Sequence, residues 1–288
     1  MTDLQYQYFT GKFEGYDKTT LFYQSWRPVF CERVIVMVHG LGEHSDRYQH
    51  VKDYFKNQGF GFYTYDHRGH GKSRGQRGYV KSFSELTSDL RAFLKLISIH
   101  ENNRPIVLLG HSLGGLICLR YLVEMESKNG IVPSAVILTN PTLKVAVEVP
   151  KWKEVASGFC SKFLPRLSLY NELDLKNLSH DPKVFEAVRK DPLCHQRITA
   201  RFYEEMLSSI QFVKDNVDLI HVPLCFLLGG EDRIVDPRGT QEVFNRLELP
   251  KKELKLYPSF YHELMNEIGK EEVFNEMKLW LRELSLLA

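Results

Sequence analysis

The chain has 288 residues, 43% hydrophobic and 26% charged, proportions that suit a soluble globular protein able to bury a large core. Its formal net charge is only +2, so charge gives no reason to expect nucleic acid or an anionic membrane as partner. The cysteines (Cys31, Cys118, Cys160, Cys194, Cys225) are scattered without a C-x-x-C pair, which argues against a disulfide framework and against structural zinc.

In chain order, the first residues have no basic start followed by an apolar run, so no secretory signal is expected and a reducing, cytoplasmic setting fits best. Strands are predicted at 21–26 and 34–38, then a helix over 48–58, a strand at 61–65, a helix over 84–100 and a strand at 106–109. A helix opens near Ser112 and a strand follows at 135–139. Later come a strand at 224–228, a helix from Pro237, a strand at 254–257 and a helix over 271–284. The runs VIVMV, IVLL, AVIL and CFLL are apolar on both faces, as parallel strands covered by helices on each side require. Ser82 with Glu85 has the form of a capping box, and Asp236-Pro237 that of an N-cap followed by a first helical residue. The class predicted is α/β, with a mostly parallel central sheet and helices on both faces.

Between residues 141 and 216 this rhythm breaks into a mainly helical stretch, with Asp181-Pro182 and Asp191-Pro192 as helix starts. It interrupts the sheet between two strands, so it is expected to be an inserted cap on a core formed by 1–140 and 217–288. Trp152, Ala156, Phe159 and Phe163 share one helical face. No window approaches the ~18–20 apolar residues needed to cross a bilayer.

The strongest local signal is IVLLGHSLGG over 106–115, a G-x-S-x-G pattern at a strand-to-helix junction. A serine on so sharp a turn needs small flanking residues, and the helix N-terminus behind it favours developing negative charge. Serine is a weak nucleophile and needs a base held by a third group. His180 and His195 lie in the expected cap, and His221 precedes a strand. His262 lies in a loop at the carboxyl edge of the sheet, where open α/β sheets build their sites, and is the expected base. Among Glu231, Asp232 and Asp236, Asp232 lies just past a strand end and is the expected orienting acid; Asp236 is better explained as a helix cap. The oxyanion donors expected are the backbone N–H groups of Leu113 and of Leu41, the latter in the glycine turn HGLG. Asp66, His67 and His70 invite a metal reading that this chemistry does not need; neither metal nor cofactor is expected. His111 is expected to be structural.

HGLGEHSDRY, YDHRGHGKSRG, GHSLGG, GGEDRIVD and YPSFYHE resemble, in order and spacing, the monoacylglycerol lipase and lysophospholipase family of α/β-hydrolases, within the serine aminopeptidase-like group. The resemblance implies an α/β-hydrolase fold, a triad of Ser112, Asp232 and His262, and oxyanion amides at Leu41 and Leu113. It also implies that Glu43 and Arg47 help hold a glycerol end. Two departures stand out: Met265 replaces a second histidine, and Val235 a cysteine, found in some members. With an apolar cap, the substrate expected is a single-chain lipid ester, foremost a monoacylglycerol cleaved through an acyl-enzyme. Trp152, Phe159, Phe163 and Leu164 either line an acyl channel, touch a lipid surface transiently, or pack on the core. The alternatives are a lysophospholipase or general carboxylesterase, an aminopeptidase or amidase, and a non-catalytic ligand-binding protein on the same fold.

Overall fold

The computed structural model describes residues 6–55, 58–146, 151–171 and 173–287, the side chains of 151–156 excepted. The chain enters through two antiparallel strands, β1 (Tyr6–Glu14) and β2 (Thr20–Pro28). Then follow β3 (Arg33–Val38), α1 (Gln49–Tyr54), β4 (Phe60–Tyr65), α2 (Ser84–His100), β5 (Ile106–His111), α3 (Leu113–Glu124) and β6 (Ala135–Thr139). An excursion carries α4 (Lys151–Phe163), β7 (Ser168–Tyr170), α5 (Pro182–Lys190), β8 (Arg197–Thr199) and α6 (Ala200–Asp215). The sheet resumes with β9 (Leu224–Gly229), α7 (Pro237–Arg246), β10 (Lys252–Tyr257) and α8 (Lys270–Glu283). The main sheet runs β1-β2-β4-β3-β5-β6-β9-β10, parallel from β4 onward and antiparallel at the β1/β2/β4 end. Neighbouring strands β6 and β9 are therefore separated in sequence by the whole excursion, and the span expected to be inserted falls between them.

Strand alternation explains the two-sided apolar runs. Val34, Val36, Leu108, Val136, Leu138 and Phe226 enter one core with α2 and α3, while Ile35, Met37, Val107, Leu109, Ile137 and Leu227 enter the other against α8. Period-two pleating directs successive side chains to opposite layers, so a strand between two helical layers has no polar face. In α2, Leu86, Leu90, Phe93, Leu94 and Ile97 are buried, the stripe that a 3.6-residue repeat turns to one side.

The helix expected over 48–58 is shorter: a 3-10 turn at Ser45–Tyr48 leads into α1, which ends at Tyr54. Ser82 and Glu85 do not close the expected box. Glu85 accepts the Lys81 amide at 3.0 Å, while Ser82 Oγ accepts that of Ser84 at 3.4 Å. Asp181 and Asp236 do cap their helices, each with proline in the first turn. Asp191-Pro192 starts a turn rather than a helix, although Asp191 Oδ1 accepts the Leu193 amide as a cap would; its Oδ2 meets His44. The excursion also holds a two-stranded antiparallel sheet, β7 against β8, as well as helices. No helix among the described residues is long and apolar enough to cross a membrane.

Candidate active site

Ser112 sits between the end of β5 and the start of α3 with φ 53° and ψ −118°, a conformation costing on the order of 1–3 kcal/mol for a residue with a side chain. The glycines around it are demanded by contact. A Cβ on Gly110 would lie 2.9 Å from both the Gly114 oxygen and Gly115 Cα, and one on Gly114 would collide with the Val38 carbonyl. The Ser112 amide donates to Thr139 O at 3.0 Å, and its carbonyl accepts the Gly115 amide at 3.0 Å. The turn is thus bolted to β6 and to the first turn of α3.

Two loops at the same sheet edge complete a chain of side chains. His262 Nε2 is 2.9 Å from Ser112 Oγ, and His262 Nδ1 is 2.7 Å from Asp232 Oδ2. Asp232 spends its other oxygen on the amides of Ile234 and Val235, at 2.8 and 2.9 Å, so the carboxylate cannot rotate away. Burial alone would depress the His262 pKa, but the adjacent Asp232 charge and hydrogen bond outweigh it and raise it. In this arrangement an imidazole can accept the hydroxyl proton while the carboxylate stabilises the resulting imidazolium.

Sequence reasoning missed the residues that hold this geometry. Asn140, at φ 42°, donates to the carbonyl of His262 at 2.7 Å and accepts the Gly229 amide at 2.8 Å, tying the ends of β6 and β9 to the histidine loop. Its signal was an asparagine directly after a strand, a residue that tolerates a left-handed backbone. Thr142 Oγ1 lies 3.4 Å from Ser112 Oγ.

Leu41 and Leu113 both line the cavity in front of Ser112, and neither amide donates to a protein acceptor among the described residues. The loop carrying Leu41 is braced from behind. Glu43 Oε1 accepts the Gly40 amide and, at 2.6 Å, the Tyr48 hydroxyl; Glu43 Oε2 accepts Arg47 at 2.6 Å. Arg47 then grips both oxygens of Glu263, the residue after His262, at 2.7 Å each. Burial would raise the Glu43 pKa, but Arg47 and its other partners hold it below the usual range. Glu43 and Arg47 line the cavity, but their charges are spent on each other and on Glu263. Glu263 was missed; a carboxylate directly after the expected base was its only signal.

Glu43 is 5% and Glu263 4% exposed, so Arg47→Met leaves two buried carboxylates without a counter-charge. The variant is expected to lose about 3–5 kcal/mol of stability and to melt about 10 °C lower at neutral pH. The depressed pKa of Glu43 makes its contribution complete above the ordinary carboxylate value and lost as pH falls through the lowered one. Calorimetry checks this, and an unchanged melting temperature would contradict it.

The cavity measures about 710 Å³, within the range of small-molecule sites. Leu175, Leu178, Val188, Ile198, Met206 and Ile234 give it apolar walls, while Arg47, Glu43 and Glu263 lie at a polar arm. Phe159 and Phe163, expected as substrate contacts, are not in its wall. Phe159 and Phe163 are 61% and 59% exposed and pack on each other with ring centroids 4.6 Å apart; Leu164 is 52% exposed. Ser157 and Cys160 of α4 face the cavity instead, because the helix presents its small side to the site. Trp152 and Ala156 lie outside the described side chains.

Several other histidines are engaged elsewhere. His39 lies against His67 and His70 (ring centroids 3.9 and 5.4 Å), and His67 Nε2 meets the His39 carbonyl at 2.9 Å. Burial holds His39 down to about 3 and pushes His67 and His70 well below the ordinary value. Asp66 accepts the amides of Ser45 and Lys72. His111 Nδ1 is 2.9 Å from Thr139 Oγ1, and its ring lies 4.9 Å from that of His262. His180 pairs with Glu267 at 2.9 Å. Glu231 is exposed to solvent.

A family model described as serine aminopeptidase, S33, matches residues 31–269. The chain belongs to that family. It is 29% identical to a Mycolicibacterium smegmatis monoacylglycerol lipase over 93% of this chain and 95% of the relative. A Dictyostelium discoideum uncharacterized abhydrolase domain-containing protein is 32% identical over 93% of this chain, which spans 28% of that longer protein. The crystal structure of the Paleococcus ferrophilus monoacylglycerol lipase superposes with a TM-score of 0.78 at 29% identity, covering 96% of this chain and 99% of that one. The chain has the α/β-hydrolase fold and is a serine ester hydrolase similar to monoacylglycerol lipases.

Proposed function

We propose that this hydrolase cleaves the ester of a monoacylglycerol, or of a closely similar single-chain lipid, through an acyl-enzyme on Ser112. The observation that carries the proposal is the continuity between Ser112 Oγ, 2.9 Å from His262 Nε2, and a cavity whose walls are largely apolar. The hydroxyl oxygen attacks the ester carbonyl as His262 takes its proton, with Asp232 holding the imidazole in the tautomer that has Nδ1 protonated. The Leu41 and Leu113 amides receive the oxyanion, at ~3 kcal/mol each. The intermediate collapses to a Ser112 ester, and His262 returns the proton to the departing alkoxide, releasing glycerol. Water then repeats the sequence and frees the fatty acid. No cofactor enters.

The excursion between β6 and β9 acts as a cap that supplies the aliphatic walls. Phe159, Phe163 and Leu164, on its outer surface, touch a membrane or droplet transiently while substrate is taken up, and the enzyme works from the cytoplasm.

Rates on glyceryl and p-nitrophenyl esters of increasing chain length, run beside aminoacyl anilides, test the substrate. Each added methylene that stays buried contributes ~0.8 kcal/mol, so kcat/KM is expected to rise up to about fourfold per carbon until the cavity is full. Insensitivity to chain length, or faster cleavage of the anilides, would overturn the lipid assignment.

A further inference from the structure

The polar side of the cavity borders a cluster that the hydrolytic chemistry does not use. His44, which follows Glu43 in the loop carrying Leu41, is 3% exposed, and its Nε2 meets Asp191 Oδ2 at 2.8 Å. Its second ring nitrogen, Nδ1, is buried and has no hydrogen-bond partner among the described residues. Cys194 follows on the same turn of the excursion, its amide donating to Asp191 O at 3.2 Å. One ring nitrogen of His44, one carboxylate oxygen of Asp191 and the sulfur of Cys194 lie within 4.8 Å of one another. Asp191 and Cys194 line the cavity beside Arg47.

We propose that His44, Asp191 and Cys194 form a binding site for a thiophilic divalent cation of the zinc class, and that its occupation slows turnover. An imidazole, a carboxylate and a thiolate are the donor types that zinc takes, at ~2.0–2.3 Å each. A tetrahedral centre needs donors roughly 3.5 Å apart, so the widest spacing to the Cys194 sulfur closes by about an ångström on rotation of that short side chain, while the His44–Asp191 contact, now 2.8 Å, opens slightly. Charge favours a cation as well: Glu43 and Glu263 already share the guanidinium of Arg47, and Asp191, whose carboxylate meets His44, adds a third negative charge nearby. Binding exchanges the thiol proton, released to solvent, for a metal–sulfur bond, and no atom changes oxidation state.

The consequence for turnover follows from where the ligands are anchored. His44 belongs to the loop that carries Leu41, and Asp191 and Cys194 belong to the excursion; the two are already joined by the His195 amide donating to Gly42 O at 2.8 Å. A cation across this seam ties the excursion to the loop and fills the arm beside Arg47. It both holds the cavity mouth in one position and displaces a polar head. The binding step is independent of which ester is cleaved.

The test is a titration of metal-free protein with Cd2+, read by the thiolate-to-cadmium charge-transfer band in the ultraviolet, with Zn2+ as competitor. One equivalent is expected, with about one proton released per cation. Cys194→Ser and Cys194→Ala abolish the band, Cys160→Ser retains it, and His44→Gln and Asp191→Asn weaken binding about tenfold or more. Hydrolysis of a p-nitrophenyl ester by wild type falls over the same cation range and returns on adding a chelator. Thermal melting of each variant establishes that it is folded. The proposal is overturned by a wild type that shows no band at equimolar Cd2+, by a band that survives in either Cys194 variant, or by inhibition of equal potency in the Cys194 variants.

Discussion

Ser112→Ala is expected to lower ester turnover by about 10⁶-fold, and His262→Ala by a similar factor. The two losses match because each removes the same event: without the imidazole 2.9 Å from Oγ the hydroxyl keeps its proton, and without the hydroxyl there is nothing to acylate. The double variant is therefore expected to be no slower than either single one. His111→Ala is the informative control. Its ring is only 4.9 Å from that of His262, but burial holds its pKa down to about 4 and its Nδ1 is engaged by Thr139. Losing a neutral hydrogen bond of ~1 kcal/mol should cost less than about tenfold in kcat/KM. Steady-state kinetics decide it, and a His111 loss comparable to that of His262 would mean the base is misassigned.

Asp232→Asn is expected to cost about 10⁴-fold in kcat with the fold intact. The carboxylate accepts from His262 Nδ1 at 2.7 Å and fixes which nitrogen faces the serine. An amide nitrogen at that position would turn the imidazole to the unproductive tautomer. The same change moves the pH profile. Burial depresses the His262 pKa and Asp232 more than restores it, so removing the charge lets burial prevail. In wild type, activity falls as pH drops through the raised His262 value, because the base becomes protonated. In Asp232→Asn this acidic limb moves to lower pH while the plateau collapses. A limb that stays in place would show that some other group titrates.

The fold was readable in sequence where burial and local chemistry agree. Helix α2 and strand β6 occupy the spans their apolar patterns predict, and Asp236-Pro237 starts α7 because cap and fixed φ act together. Strand β1 left no such trace. Its residues are mostly exposed, and what holds it is backbone pairing with β2, which leaves little mark on side-chain pattern. Asp191-Pro192 carries the same dipeptide and even the cap bond to the Leu193 amide, yet only a turn follows. A cap marks where a helix can start but does not supply the residues that continue it.

The site divided along the same line. Ser112, Asp232 and His262 could be named because each stands where a strand meets its following loop, and topology brings such positions to one edge. What supports them could not. Asn140 acts through its side-chain amide on a loop more than a hundred residues later, and Glu263 acquires meaning only through Arg47. The face of α4 was a matter of rotation: the periodicity of Phe159 and Phe163 identified a stripe without saying which way it points, and it points outward.

Hydrolysis through an acyl-enzyme requires that Ser112 carry the acyl group. Treating folded wild type with a fluorophosphonate and mapping the adduct by peptide mass spectrometry tests this directly. A single stoichiometric adduct on Ser112 is predicted, absent from Ser112→Ala and formed far more slowly in His262→Ala. A folded wild type that remains unmodified, or an adduct on another side chain, would contradict it.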